Sequence, residues 1–168
     1  MVEGVSLEGK KILIVDDEPD VLETLEERLE MCEISKAVSF DQARELLETK
    51  YFDFAILDIM GVDGYKLLEI ANGKKVIAIL LTAHALSPDN AVRARNEGAA
   101  SYVPKAKIND IQTFLMDVSE AKAEGKSFWW RWHDRFGTYF DRRFGPGWNS
   151  CGEFWKESYA IKWEKYYH

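Results

Sequence analysis

The chain contains 168 residues, of which 46% are hydrophobic and 30% are charged, and its net charge is −7. This balance is typical of a folded globular protein and excludes a disordered or fibrous one. The two cysteines, Cys32 and Cys151, are too few for a disulfide framework. The longest apolar run, at 76–83, is far shorter than the roughly 20 residues that a membrane-spanning helix needs. We therefore expect a protein of the reducing cytoplasm.

Charge and aromatic residues divide the chain into two regions. Residues 125–168 carry a net charge of +3 and hold 15 of the 22 aromatic residues, including all six tryptophans, whereas residues 1–124 carry −10. We predict a domain at 1–124 and an aromatic-rich helical extension at 125–168. The acidity of the first region argues against nonspecific nucleic-acid binding, because attraction to phosphates requires a basic face.

The first region alternates short apolar runs with amphipathic segments. Continuous apolar runs are typical of parallel strands that are covered on both faces. The predicted strands are at 11–15, 34–38, 54–57, 76–81 and 101–103. The first predicted helix begins near Pro19, and the second follows a cap at Ser39 or Asp41. The other three predicted helices span 63–71, 88–96 and 108–121. Five such units with short connections imply an α/β fold, a doubly wound parallel sheet with helices on both faces.

Polar side chains follow four of the five predicted strands. Asp16 and Asp17 come directly after the first strand, Asp58 after the third, Thr82 after the fourth and Lys105 after the fifth. Ligands of such sheets bind outside the carboxyl ends of the strands. We therefore expect these five side chains to converge on one rim of the domain.

The chemistry of this set indicates phosphoryl transfer. Clustered carboxylates repel one another unless a cation lies among them, and Mg²⁺ is a hard cation that prefers oxygen ligands. An aspartate such as Asp58 can act as a nucleophile and accept a phosphoryl group. The metal and the ammonium group of Lys105 would then neutralise two phosphoryl oxygens, and the hydroxyl of Thr82 would donate to the third.

With these motifs, residues 9–122 resemble the receiver domain of response regulators in two-component systems. The matching segments are Ile14-Val15-Asp16-Asp17-Glu18, Ile56-Leu57-Asp58-Ile59-Met60, Asp63-Gly64, Leu81-Thr82-Ala83 and Tyr102-Val103-Pro104-Lys105. The resemblance implies a flavodoxin-like sheet with the strand order 2-1-3-4-5. We expect a single receiver without an enzymatic or DNA-binding output domain, because residues 125–168 have neither the length nor the pattern of a helix-turn-helix domain. We expect no enzymatic activity beyond its own phosphorylation and dephosphorylation.

The resemblance further implies a role for each site residue. Asp58 would be the phosphoacceptor, Asp17 would bind Mg²⁺ directly, Asp16 would bind it mainly through water, and the carbonyl group of Met60 would be a further ligand. The residues that would contact the phosphoryl group or signal its presence are Thr82, Lys105 and Tyr102, the last being an aromatic residue that turns inward on activation.

The implied partners are proteins. The phosphoryl donor would be a phosphohistidine on a sensor histidine kinase or a histidine phosphotransfer protein. The output would pass to a protein partner through the face from the fourth to the fifth helix, through the extension, or through both. We further expect phosphorylation at Asp58 to alter how the extension docks, because only Gly125 separates it from the fifth helix.

Three departures from the family pattern keep two alternatives open. The loop from Asp58 to Gly64 is two residues shorter than usual and lacks a proline, Lys105 is preceded by Pro104, and Lys105 is followed by Ala106 instead of proline. The short loop is compatible with a receiver-like interaction module that is not phosphorylated. An Asp-nucleophile phosphohydrolase is the second alternative, but such enzymes place an aspartate where this chain has Met60.

The extension has the pattern of a helical hairpin. At 100° per residue, seven aromatic residues between Phe128 and Phe144 fall within one arc of about 160°. A break at 145–147 precedes a second stripe, formed by Trp155, Tyr159, Trp163 and Tyr166. The hairpin could fold on itself or on the domain, form a homodimer contact or dock on another protein, or lie on a membrane surface. Single-stranded nucleic acid is the weakest alternative because no known motif is present.

Overall fold

The computed structural model describes residues 5–83, 87–129, 132, 135, 136 and 142. Within these residues, a five-stranded parallel sheet has the order β2-β1-β3-β4-β5. The strands are β1 (Lys11–Val15), β2 (Glu33–Ala37), β3 (Phe54–Asp58), β4 (Ile77–Thr82) and β5 (Ser101–Pro104). The helices are α1 (Pro19–Arg28), α2 (Phe40–Thr49), α3 (Gly64–Gly73), α4 (Pro88–Asn96) and α5 (Ile111–Glu124). The predicted doubly wound α/β fold and its strand order are confirmed.

The central strands form the core because helices cover both of their faces. Every residue of β3 is buried, and β1 is buried from its second residue onward. α1 packs beside α5, and α2 packs beside α3. Burial on both faces explains why these strands have continuous apolar sequences instead of alternating ones. β2, at the edge of the sheet, is largely exposed or half-buried.

Local signals set the helix starts just beyond the strand ends. The Ser39 hydroxyl accepts a hydrogen bond from the backbone N–H of Gln42 at 3.3 Å, which identifies Ser39 as the cap of α2. Ser87 caps α4 in the same way. Pro19 and Pro88 lie in the first turns of α1 and α4, where the absent N–H costs nothing.

The start of the fifth helix differs from the prediction. α5 begins at Ile111, and residues Lys105–Asp110 form a 3-10 helix instead. The tighter winding turns the chain over the end of β5 within six residues and buries Ile108. No peptide bond among the described residues is cis, so the bond before Ala106 is trans.

The chain beyond α5 turns back onto the domain. Gly125 ends α5 with a left-handed φ of 68°, a conformation that glycine adopts without strain. Phe128 and Trp129 lie in a turn, so the helix expected from Phe128 begins later, and Trp132 and Phe136 are helical. Trp129, Trp132 and Phe136 are buried. The predicted second stripe at 155–166, and the aromatic residues Tyr139, Phe140 and Phe144, lie outside the described residues.

Candidate functional site

The candidate site lies at the carboxyl ends of β1, β3 and β4, beside the first residue of the 3-10 helix. Asp16 follows β1 directly, and Asp58 and Thr82 are the last residues of β3 and β4. In the register of the sheet, Asp58 pairs with Leu81, the neighbour of Thr82. All three side chains are buried, at 0%, 3% and 4% exposure. The parallel sheet thus gathers side chains that are distant in the sequence, as the strand-end pattern predicted.

Lys105 is the cation at the centre of this group. Its Nζ lies 2.9 Å from Asp16 Oδ2, 2.8 Å from Glu18 Oε1 and 3.3 Å from Asp58 Oδ1. Burial alone would lower the pKa of Lys105, but hydrogen bonds to Glu18 and Asp16 and the charge of Asp58 raise it. The ammonium group is therefore charged at neutral pH and offsets the repulsion among the carboxylates.

Asp16 is the most deeply buried carboxylate of the site. Its Oδ1 accepts a hydrogen bond from the backbone N–H of Glu18 at 2.9 Å. Burial raises the pKa of Asp16, against the opposing effects of that hydrogen bond and of Lys105, and the neighbouring charge of Asp58 raises it further. Ionisation of Asp16 therefore lowers the stability of the folded domain, and carboxylates of this kind are common at functional sites.

Three consecutive carboxylates form a cluster that fits a divalent cation. Asp16, Asp17 and Glu18 each bring an oxygen to within 4.8 Å of the other two. Asp17 and Glu18 are exposed, so a hydrated ion can reach them. Mg²⁺ takes a few carboxylate oxygens and keeps several waters, which matches this half-open donor set. Sequence reasoning assigned no role to Glu18, although its position directly after Asp16 and Asp17 at a strand end was a usable signal.

The short loop after β3 is accommodated by two glycines. A Cβ at Gly61 would lie 2.3 Å from Asp17 Oδ1, and a Cβ at Gly64 would lie 2.3 Å from the carbonyl oxygen of Asp58. The backbone N–H of Gly61 also donates to Asp58 Oδ2 at 3.1 Å. The loop therefore packs directly on the site, and glycine at both positions is what allows the approach. The side chain of Met60 is 73% exposed.

Tyr102 connects the site to the edge of the sheet. Its side chain is 1% exposed and points inward, where it is hydrogen-bonded to the side chains of Thr82 and Asn90. Burial raises the pKa of Tyr102 above its usual value, so the phenol is neutral at physiological pH. The residue that the resemblance identified as a switch thus contacts the residue expected to bind the phosphoryl group.

The arrangement of the fold and the site defines a class of protein, the two-component signalling receivers. The family model of the response regulator receiver domain matches residues 12–115. The chain therefore belongs to the response regulator receiver family. Receiver domains are in general signalling domains without enzymatic function, and they generally use Mg²⁺ at an acidic site.

Curated relatives are response regulators of plants and bacteria. The two-component response regulator ARR18 of Arabidopsis thaliana is 35% identical over 103 residues, which are 58% of this chain and 16% of that protein. The response regulator protein PilR of Pseudomonas aeruginosa is 33% identical over 126 residues, which are 68% of this chain and 28% of that protein. The chain thus spans only a minor part of these relatives.

Solved receiver domains have the same fold. The CheY-like receiver domain protein of Methanospirillum hungatei is 26% identical, with a TM-score of 0.57, and the match covers 68% of this chain and 99% of that one. The receiver domain of the Francisella response regulator 1452 gives a TM-score of 0.60 at 21% identity, over 68% of this chain and 99% of that one. In the part of the chain that the structure describes, no helix has both the length and the apolarity to cross a bilayer.

Proposed function

We propose that this receiver accepts a phosphoryl group on Asp58 from a phosphohistidine of a sensor kinase or a phosphotransfer protein. The observation that carries the proposal is the position of the Asp58 carboxylate. One oxygen faces the Lys105 ammonium at 3.3 Å, and the other accepts the N–H of Gly61 at 3.1 Å. A carboxylate held in this way is a nucleophile with a fixed position at the carboxyl ends of the strands.

In the proposed step, an oxygen of Asp58 attacks the phosphorus atom and forms an O–P bond. The N–P bond of the phosphohistidine breaks, and the departing imidazole nitrogen takes up a proton. Lys105 and Thr82 would stabilise the charge that develops on the phosphoryl oxygens. Since Lys105 already contacts Asp58, a modest movement away from Asp16 and Glu18 would bring it onto a phosphoryl oxygen.

The metal that we propose for the site is Mg²⁺, held by Asp17, Asp58 and the carbonyl group of Met60, with Asp16 acting mainly through water. The position of Glu18 beside Asp17 supports a further water-mediated contact. When bound, Mg²⁺ supplies positive charge to a phosphoryl oxygen. Gly61 contributes indirectly, because its lack of a side chain leaves the Asp17 carboxylate free to turn toward the ion.

The test is the intact mass of the full chain after incubation with acetyl phosphate and Mg²⁺. We expect the wild type to gain one phosphoryl group and Asp58→Asn to gain none. Asp41→Asn, which removes an exposed carboxylate from the first turn of α2, is the matched control and should behave like the wild type. An unmodified wild-type chain would overturn the proposal and favour an interaction module that is not phosphorylated. Continuous release of phosphate from a stable ester would instead favour the phosphohydrolase alternative.

A further inference from the structure

Aromatic residues from beyond α5 cover the outer edge of the sheet. β5 is the last strand in the sheet order, so its outward carbonyl groups have no neighbouring strand. The indole N–H of Trp129 donates to the carbonyl oxygen of Ala99 at 2.9 Å, and that of Trp132 donates to the carbonyl oxygen of Tyr102 at 2.7 Å. The two indoles are 4% and 2% exposed. The two indoles therefore cover part of the sheet edge at which a sixth strand would pair.

The same segment also contacts α5 through packing and charge. The ring of Phe136 stacks on that of Phe114, with centroids 5.5 Å apart. Arg135 forms a two-pronged ion pair with Asp117, in which Nη2 lies 2.8 Å from Oδ1, and the Asp117 side chain is only 7% exposed. We call Trp129, Trp132, Arg135 and Phe136 the aromatic cap. The cap makes apolar, hydrogen-bonding and charged contacts with the face formed by β5 and α5. This combination is expected of a segment that docks there specifically.

Tyr102 belongs both to the site and to the surface under the cap. Its carbonyl oxygen binds Trp132, whereas its side chain is hydrogen-bonded to Thr82 and Asn90. Thr82 lies one residue beyond the register partner of Asp58. A series of hydrogen bonds thus leads from Thr82, which lies at the same end of the sheet as Asp58, through Tyr102 to Trp132.

We propose that the aromatic cap is an internal partner of the receiver, and that phosphorylation of Asp58 tightens its docking through Tyr102. This inference rests on the proposed function. When the Thr82 hydroxyl donates to a phosphoryl oxygen, its own oxygen becomes a stronger acceptor for the Tyr102 hydroxyl. Tyr102 is then held more firmly in the inward position, which keeps its carbonyl group in place for Trp132. A protein that uses the β5–α5 face would have to displace the cap, so phosphorylation makes this face less accessible to other proteins.

The test is hydrogen exchange of the full chain in Mg²⁺ with and without acetyl phosphate, with the adduct quantified by intact mass in the same samples. In the wild type, we expect peptides that contain Trp129 and Trp132 to exchange at least about fivefold more slowly once the adduct has formed. Tyr102→Phe, which removes the hydroxyl group but keeps the ring, should lose this response when it is compared with the wild type at equal adduct fraction. Tyr51→Phe is the matched control, because it removes the same hydroxyl group from a tyrosine that is 69% exposed and donates to Asp53.

The outcomes separate this proposal from the proposed function. If the adduct forms and exchange at the cap is unchanged in the wild type, the coupling is wrong although Asp58 is phosphorylated. If no adduct forms, the proposed function fails, and the coupling is judged in the unmodified protein. There, Tyr102→Phe should speed exchange at the cap several-fold relative to Tyr51→Phe, with β1 peptides unaffected. Equal exchange in the two variants would overturn the link between Tyr102 and the cap.

Discussion

Asp16 and Lys105 bring opposite charges into a nearly closed space at the end of the sheet. The Lys105 side chain is 13% exposed, and Asp16 is not exposed at all. Since the pKa of Lys105 is raised above 10.5, its ion pairs stabilise the fold throughout the neutral range and are lost only as the pH rises through the folded pKa. The pKa of Asp16 is raised as well, and for a carboxyl group this shift means a loss of stability.

Replacing Asp16 with asparagine should therefore stabilise the metal-free protein. Because the folded pKa lies above the ordinary value of 3.8, the ionised Asp16 destabilises the fold progressively as the pH rises through that interval. Asparagine keeps an oxygen for the N–H of Glu18, and Lys105 keeps Asp58 and Glu18 as partners. We expect the free energy of unfolding at neutral pH to be higher in Asp16→Asn than in the wild type.

The measurement is urea unfolding in EDTA at several pH values between acid and neutral. The difference between Asp16→Asn and the wild type should widen as the pH rises. A variant that is less stable than the wild type at neutral pH would contradict the argument, since it would mean that ionised Asp16 is a net stabilising group. In a Mg²⁺ titration the same variant should bind the metal more weakly, as expected when a site sacrifices stability for function.

The sequence predicts the placement of these side chains better than the contacts between them. Asp16, Asp58, Thr82 and Lys105 lie at one end of the sheet, as the strand-end pattern predicts, because the carboxyl ends of parallel strands meet at one edge. Gly61 was missed because its role depends on how closely the loop after β3 approaches Asp17, which no periodicity encodes. The deviation in loop length was visible in the sequence, but its consequence for the site was not.

At the scale of elements, the loop between β3 and α3 decides how Asp17 is placed. Gly61→Ala should displace the Asp17 carboxylate, because the added Cβ would lie 2.3 Å from its Oδ1. The carboxylate is the end of a flexible, exposed side chain, so we expect little change in the free energy of unfolding. Mg²⁺ affinity should fall, by about tenfold if the ion loses the equivalent of one good contact of about 1.4 kcal/mol.

Gly73→Ala is the control for the loop variant. A Cβ at Gly73 meets nothing within 4 Å, and this position is helical. Alanine there should leave Mg²⁺ affinity unchanged and stabilise α3 by about 0.5–1 kcal/mol. Equal Mg²⁺ affinity in Gly61→Ala and Gly73→Ala, measured by calorimetric titration, would show that Asp17 does not need the space beside Gly61.

Most strands and helices were predictable from the sequence, and the main exception is the start of α5. The apolar runs of β1, β3 and β4 follow from burial on both faces. The pattern of β2 is weaker, because this edge strand is largely exposed or half-buried. The start of α5 was placed too early because Ile108 and Ile111 have helical spacing, and that spacing does not distinguish a 3-10 turn from the first turn of an α-helix. The aromatic arc predicted which face of the extension is apolar, but periodicity carries no information about what covers that face.

At the scale of the whole molecule, the aromatic cap adds buried contacts to those of the sheet and its helices. Trp132→Ala should lower the free energy of unfolding by about 3 kcal/mol, since it removes a buried indole and leaves the carbonyl group of Tyr102 without that donor. Arg142→Ala, an exposed position in the same segment, should change stability by no more than about 0.5 kcal/mol. Urea unfolding followed by circular dichroism checks both values, and equal stability of the two variants would mean that the cap adds nothing to the fold.

The central claim is that Asp58 carries the phosphoryl group, and chemical trapping tests it most directly. Borohydride reduces an acyl phosphate to the alcohol, so an aspartyl phosphate becomes homoserine at that position. After incubation with acetyl phosphate and Mg²⁺, reduction and peptide mapping, we expect homoserine at position 58 in the wild type and at no other aspartate. Homoserine at Asp16 or Asp17, or none in any peptide, would contradict it.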